Sequence, residues 1–350
     1  MNVASLFSRV ARTKAARFTP SPGNLCRFRR SMATNDVEAM TAPPFTQHVV
    51  NAMRSLYPEE LADRSWDNVG LLLENTQPPY HNGAPQIVPP KVLLTNDLTI
   101  RVAQEAIGKK VSVIVSYHPF IFRGLKSITL SDPHQHIILL LTRNNIAVYS
   151  PHTAVDAAPG GLNDWLADML DGHKVTTTRS VVKPITTPLP QGITGAGYGR
   201  LVEFGHPVNM GRIVEEYARR LGGLRHVMVA YPRDGAKNTS KPTGPPIVIR
   251  SVGICAGSGH DVLSGCNADL LVTGEMSHHA ALRLTMQGKC VLTVFHSNSE
   301  RQFLTDKMRP DLEKVLRRDA DAAAEVLVSQ EDEDPFEIWD VQNMPDWAYI

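Results

Sequence analysis

The sequence has no CxxC pair and no apolar run approaching the roughly 18 residues of a membrane helix. Its first 35 residues contain no acid at all. Each shortage excludes something. Four cysteines (Cys26, Cys255, Cys266 and Cys290) in 350 residues, three of them in or beside apolar stretches, give neither a disulfide framework nor a zinc knuckle. They read as reduced core residues of an intracellular protein. Basic charge is short too, outside the N-terminus. Seven Lys/Arg fall within residues 1–35, which leaves 29 basic against 35 acidic residues in the remainder. A net-negative body gains nothing from releasing phosphate counterions, so general nucleic-acid binding is not expected.

What the N-terminus does contain is Arg9, Arg12, Lys14, Arg17, Arg27, Arg29 and Arg30, with Ser/Thr and an amphipathic-looking start from Val3 to Arg12. That is the composition of a mitochondrial transit peptide, without the long apolar core of a secretory signal. Residues 1–40 are expected to be this segment or a disordered basic tail. Initiation at Met32 would give a cytoplasmic form.

From about residue 43 the pattern alternates apolar strand with amphipathic helix, in a length that suits about two domains. Phe45–Tyr57 has helical periodicity and stops at Pro58. Strands are expected at 91–95, Val111–Ser116 and Ile146–Ser150, with helices over 99–108, His134–Arg143 and Gly161–Leu170. The Thr- and Pro-rich stretch 172–195 reads as a linker. A second series follows: a helix from Pro207 to Leu221, strands at His226–Ala230, Ile247–Ile254, Ala268–Thr273 and 290–295, a helix at Ser277–Met286, and another from Ser297. The expected organisation is a first α/β domain at 44–175, a linker at 176–195, a second α/β domain at 196–330, and an acidic, aromatic extension at 331–350.

Three strands end abruptly in potential metal ligands. Val113-Ile-Val-Ser-Tyr runs into His118-Pro119, and the proline fixes the chain so that His118 faces outward. Ile146-Ala-Val-Tyr-Ser150 delivers His152 and Asp156. Val291-Leu-Thr-Val-Phe delivers His296 and Glu300, which share one face if a helix begins there. Ligands of α/β sheets sit outside the carboxyl ends of strands, and imidazole beside carboxylate suits a divalent first-row metal. Either His152 or Asp156 could ligate; the natural division has Asp156 on the metal and His152 orienting a neighbour or touching substrate. Two glycine-bearing turns are less specific. Gly253–His260 is a tight turn or a phosphate cradle. Gly274-Glu275 is expected to aim Glu275 into the same cleft, with at most one of His278 and His279 joining it. Trp66-Asp67-Asn68-Val69-Gly70 reads either as a turn anchored by a buried Trp or as a substrate contact.

Six segments in order, Trp66-Asp-Asn-Val-Gly-Leu, His118-Pro, His152-Thr-Ala-Val-Asp156, Gly197-Tyr-Gly-Arg200, Thr273-Gly-Glu-Met-Ser and His296-Ser-Asn-Ser-Glu300, resemble the Nif3 family, also labelled NGG1-interacting factor 3-like or type 2 GTP cyclohydrolase I homologues. Asp332-Glu-Asp-Pro-Phe looks like the family's eukaryotic branch. The resemblance implies two similar three-layer α/β/α domains, intertwined or separate, with a metal cleft between them. It also implies a homo-oligomeric ring, commonly a hexamer. Two divalent metals per subunit (Zn, Fe, Mn or Co) would be held by His118, Asp156, His296 and Glu300. Bacterial members carry two adjacent histidines where this chain has Tyr117-His118. A neutral phenol is a poor substitute for imidazole, so one metal is expected to be weaker, differently ligated or absent.

The chemistry expected is metal-dependent hydrolysis of a nucleotide or phosphorylated small molecule, with GTP cyclohydrolase-type ring opening as one form. Glu300 and His152 would be the catalytic side chains. The competing expectation is an interaction or regulatory protein, bound to a partner of transcriptional-coactivator type, with a structural or metal-handling site. No membrane association is expected under either.

Overall fold

In a computed structural model, residues 41–76, 90–171, 177–232, 246–319 and 324–339 are described. The expected targeting segment, Cys26, most of the polar 234–246 loop, and the aromatic end with Trp347 and Tyr349 lie outside them. Among the described residues no helix is long and apolar enough to cross a membrane.

The fold is mixed α/β, built on two sheets. Helix α1 (Pro44–Leu56) starts with Pro44, whose fixed φ suits a first helical position. Val49, Val50 and Met53 form its buried stripe, each contributing about 1.5–3 kcal/mol on burial. Strands β1 (Gly70–Leu73), β2 (Lys91–Thr95), β3 (Val113–Ser116) and β4 (Ala147–Ser150) are joined by helices α2 (Ile100–Gly108) and α3 (Pro133–Arg143). Thr99 and Asp132 cap these two helices by accepting from the amides of Val102 and Gln135, worth about 1 kcal/mol each. Short helices α4 (His152–Ala157) and α5 (Leu162–Asp168) follow β4.

The second series comprises β5 (Thr177–Pro184), β6 (Gly197–Asn209), α6 (Met210–Arg220), β7 (Met228–Ala230), β8 (Val248–Cys255), α7 (His260–Leu263), β9 (Leu270–Thr273), α8 (His278–Met286) and β10 (Cys290–Thr293). It closes with α9 (Arg301–Phe303), a π-helical turn, α10 (Arg309–Asp319) and β11 (Glu325–Val328). The sheet orders are β1-β4-β3-β2-β11 and β5-β6-β8-β9-β10-β7. Strands β4-β3-β2-β11 run parallel, as do β8-β9-β10.

Alternation along each strand sorts the core into layers. Val92, Leu94, Val113 and Val115 of the first sheet share one core with Val252, Ile254, Leu270 and Leu292 of the second, filled in by α1 and α10. Leu93, Ile114 and Val148 face the other way, against α2 and α3. Leu271 and Val291 do the same against Leu263 and Leu284. Both faces are buried, which is why these strands read as continuous apolar runs. Cys255, Cys266 and Cys290 are free and buried, as expected.

Three boundaries differ from the sequence reading. The supposed linker contains β5, whose Thr178–Val181 pairs antiparallel with β6 from Glu203 to Arg200. β-Branched Thr and Val favour that edge position, and the proline content of the flanks hid it. The helix expected from Pro207 begins at Met210, because β6 continues to Asn209, which caps α6. Finally, the chain beyond β10 does not stay with the second sheet. It crosses back, packs α10 on α1, and pairs β11 with β2 in the first sheet. The two halves are therefore intertwined at the C-terminal end.

Candidate metal centre

The carboxyl ends of β2, β3, β9 and β10 bring their following residues to one cleft, with a volume of about 830 Å³, lined by Asp97, His118, Glu275, His296, Asn298 and Asp334. At its base, one ligand atom from each of His118, His296 and Glu300 lies within 4.8 Å of the others. Glu300 is 3% exposed and sits between the two imidazoles. Its Oε2 is 3.5 Å from His118 Nε2, and its Oε1 is 3.4 Å from His296 Nε2. The amide of Asn96 donates to Oε2 at 3.1 Å.

Each imidazole is held from behind by a carboxylate. Asp97 Oδ1 is 2.9 Å from His118 Nδ1, and Glu275 Oε1 is 3.2 Å from His296 Nδ1. A carboxylate on the rear nitrogen fixes ring orientation and leaves the front nitrogen free to ligate. Burial works to lower the pKa of His118, but Glu300 and Asp97 outweigh it and raise it to about 9. A field that favours a proton at that spot also favours a cation. Two nitrogens, one carboxylate and this field fit a divalent first-row metal.

The remaining expected residues lie beside this cluster. Asp156 is close enough to influence His118 electrostatically, but it is not among the converging atoms. Its Oδ1 accepts a 2.7 Å hydrogen bond from the Tyr117 hydroxyl. Burial pushes Asp156 up to about 6, against the opposing pull of His152 and the Tyr117 hydrogen bond. His152 opens α4 at φ +30, a conformation that costs a non-glycine residue roughly 1–3 kcal/mol. Its Nδ1 is 2.7 Å from Asp67 Oδ1, and Asp67 also accepts from the Thr153 hydroxyl. The rings of Phe122, Trp66, His152, His118 and His296 form a row with successive centroid separations of 6.1, 5.7, 5.4 and 5.3 Å.

Several expectations need correction here. Residues His296 and Glu300 do not share a face of an α-helix. Ser297–Ser299 make a 3₁₀ turn and the helix begins only at Arg301, because the Ser299 hydroxyl is bonded to the His296 carbonyl. Trp66 is not a buried anchor. It is 52% exposed, while Asp67, Val69 and Gly70 of that turn are buried. The glycine loop 253–260 offers no free cradle, since the Gly257 and Gly259 amides donate to Ser299 Oγ and Thr273 Oγ1. Gly257 instead lets the loop approach the cluster. With φ +57, a Cβ there would stand 2.7 Å from Glu300 Oε1. Asn163, within α5, bridges the Asp156 carbonyl and the Ala256 amide. His278 and His279 contact each other and are not among the cluster residues.

Asn96 and Asp97 are site residues that the sequence reading leaves out. Asn96-Asp97 ends a strand just as His118 does, so the same strand-end signal was present. Asp67 is picked out within the Trp66–Gly70 turn, but its pairing with His152, 85 residues away, carries no local signal.

A profile of the family Duf34/NIF3 (NGG1p interacting factor 3) matches residues 45–335. The chain is 42% identical over 300 residues to Protein NIF3 homolog of Schizosaccharomyces pombe, covering 85% of this chain and 99% of that one. It is 39% identical over 296 residues to NGG1-interacting factor 3 of Saccharomyces cerevisiae, covering 83% and 96%. Two solved structures share the fold. One is a hypothetical protein of Staphylococcus aureus, with TM-score 0.62, 22% identity and 83% and 98% coverage. The other is a Bacillus cereus protein related to NIF3, with TM-score 0.61, 20% identity and 84% and 98% coverage.

Proposed function

The chain belongs to the Duf34/NIF3 family, and from that premise we propose that it is a metal-dependent hydrolase acting on a nucleotide or another phosphorylated small molecule. The observation that carries this reading is the convergence of His118, His296 and Glu300 at the floor of an open cleft. A divalent cation held there would polarise a phosphoryl or carbonyl oxygen and make water a better nucleophile at neutral pH.

The protein's own side chains divide the remaining work. His152, fixed through Nδ1 by Asp67, is the group placed to take or deliver a proton at its other nitrogen. Trp66 and Phe122, both exposed at the end of the ring row, offer a flat surface on which a planar ring can stack. Opening of a guanine ring, GTP cyclohydrolase chemistry, falls within this class. The test is turnover by protein loaded with Zn, Mn, Fe or Co on a panel of nucleotides and phosphoesters. Activity that disappears in Glu300→Ala supports the reading; a metal-loaded protein inert on the whole panel counts against it.

A second reading, an interaction protein, is favoured by a different surface. Val229 on edge strand β7, with Leu282 and Met286 on α8, leaves an apolar strip exposed. Such strips commonly mark association sites, whether between copies in a homo-oligomer or with another protein. If Val229→Asp and Met286→Lys leave mass by light scattering and partner binding untouched, this surface has no such role. Import into mitochondria through residues 1–40 is likewise proposed, and would be excluded by finding all of the protein in the cytosolic fraction.

A further inference from the structure

Resting on the reading of His118, His296 and Glu300 as a metal centre, we propose that each subunit of this chain holds one cation there, and that Tyr117 and Asp156 occupy the adjoining position that a second cation would need. The resemblance implied Asp156 as a ligand of a two-metal site. The geometry gives Asp156 a different partner. Tyr117 leaves β3 with its side chain buried, 2% exposed, and its hydroxyl donates to Asp156 Oδ1 at 2.7 Å. A phenol is a proton donor with an ordinary pKa near 10, so it satisfies the carboxylate as a hydrogen-bond partner and does not substitute for a nitrogen ligand.

Packing supports the same assignment. The Tyr117 ring packs edge-on against the rings of both His118 and His152, at 5.0 and 5.5 Å. It therefore fills the space beside the three-residue cluster. Asp156 is held in place from its backbone side as well, since Asn163 donates to its carbonyl oxygen at 3.0 Å. The backbone of Asp156 is thus anchored by Asn163 while its Oδ1 is taken by the phenol. Glu300 presents one oxygen to each imidazole and takes the Asn96 amide as its remaining side-chain partner. One cation between three ligand atoms is the occupancy this arrangement accommodates.

The experiment is Zn²⁺ stoichiometry on chelator-stripped full-length protein, by calorimetric titration and by metal analysis after gel filtration. Wild type is expected to bind one equivalent, with Asp156→Asn and Tyr117→Phe also binding one. Tyr117→His is expected to gain a second equivalent, and Tyr117→His/Asp156→Asn to return to one. Two equivalents in wild type, or loss of the single equivalent in Asp156→Asn, would overturn the proposal while leaving the metal centre intact. No Zn²⁺ in wild type would instead remove the metal-centre reading on which it rests. Because wild type and Asp156→Asn are decisive on their own, the test survives if Tyr117→His fails to fold.

Discussion

Asp97 stands behind His118, its Oδ1 2.9 Å from the imidazole Nδ1, while His118 Nε2 faces Glu300 on the other side. Asp97 does not belong to the converging trio, yet it decides which nitrogen His118 offers. The His118 interaction also pulls Asp97 below its ordinary pKa, although burial alone would raise it. Asp97→Ala is expected to weaken Zn²⁺ binding about 10–100-fold, the usual effect of removing a carboxylate behind a ligating histidine. His118→Ala should cost more. Competitive titration with a chromophoric chelator measures both, and an unchanged affinity in Asp97→Ala would refute this role.

Arg200 is 3% exposed and is fully engaged by Asp164 (2.6 and 2.8 Å) and by the carbonyls of Gly197, Gly199 and Ala158. It links β6 to the end of α4, from which Asp156 projects. Truncating one side of a buried, hydrogen-bonded ion pair typically costs 3–5 kcal/mol. Arg200→Ala is expected to fall in that range by urea denaturation. Arg200→Lys should recover only part of it, because a lysine lacks the planar fork that reaches both carboxylate oxygens.

Trp66 is expected to behave in the opposite way. Half its surface is already in water, and its partners are the Phe122 and His152 rings. Trp66→Ala should leave stability within about 0.5 kcal/mol and Zn²⁺ affinity unchanged. The Michaelis constant for ring-bearing substrates should rise about tenfold, with that for ring-free phosphoesters little altered. A uniform change across both substrate types would argue against stacking.

Glu105 is one carboxylate that makes stability depend on acid. It accepts from Lys109 Nζ at 2.6 Å and from the Gln330 amide at 3.1 Å, and also from Ser329, so it pins α2 to the segment after β11. Burial pushes its pKa up, but these hydrogen bonds outweigh burial and hold it below the ordinary 4.5. A depressed folded pKa means the stabilisation is complete above the unfolded value and is lost as pH falls through the folded one. Glu105→Gln is therefore expected to cost roughly 1–3 kcal/mol at neutral pH. The difference from wild type should shrink below about pH 4.5. Urea midpoints between pH 7 and 3.5 measure this, and a pH-independent gap would contradict it.

Much of the site was legible because strand ends are local features. A short apolar, β-branched run stopping at His118-Pro119, or running into Phe295-His296, shows where a side chain leaves a sheet. Nothing beyond those few residues is needed to read it. Long-range partners were not legible in that way. Asp67 meets His152, and Asn96 meets Glu300 across 204 positions, distances over which no periodicity carries information.

What the sequence by itself determined is the alternation of strand and helix, the burial of both sheet faces, and the appearance of His118, His152 and His296 at strand ends. These follow from side-chain period and β-propensity within short windows. Tertiary structure alone decided that β5 is a strand and not a linker, since an edge strand exists only by pairing with its neighbour. It also decided that β11 returns to the first sheet, and that Asp156 faces a phenol while Glu300 faces two imidazoles. Those outcomes depend on which groups, far apart in the chain, are brought within 3–4 Å. That is settled by how the two sheets share one core.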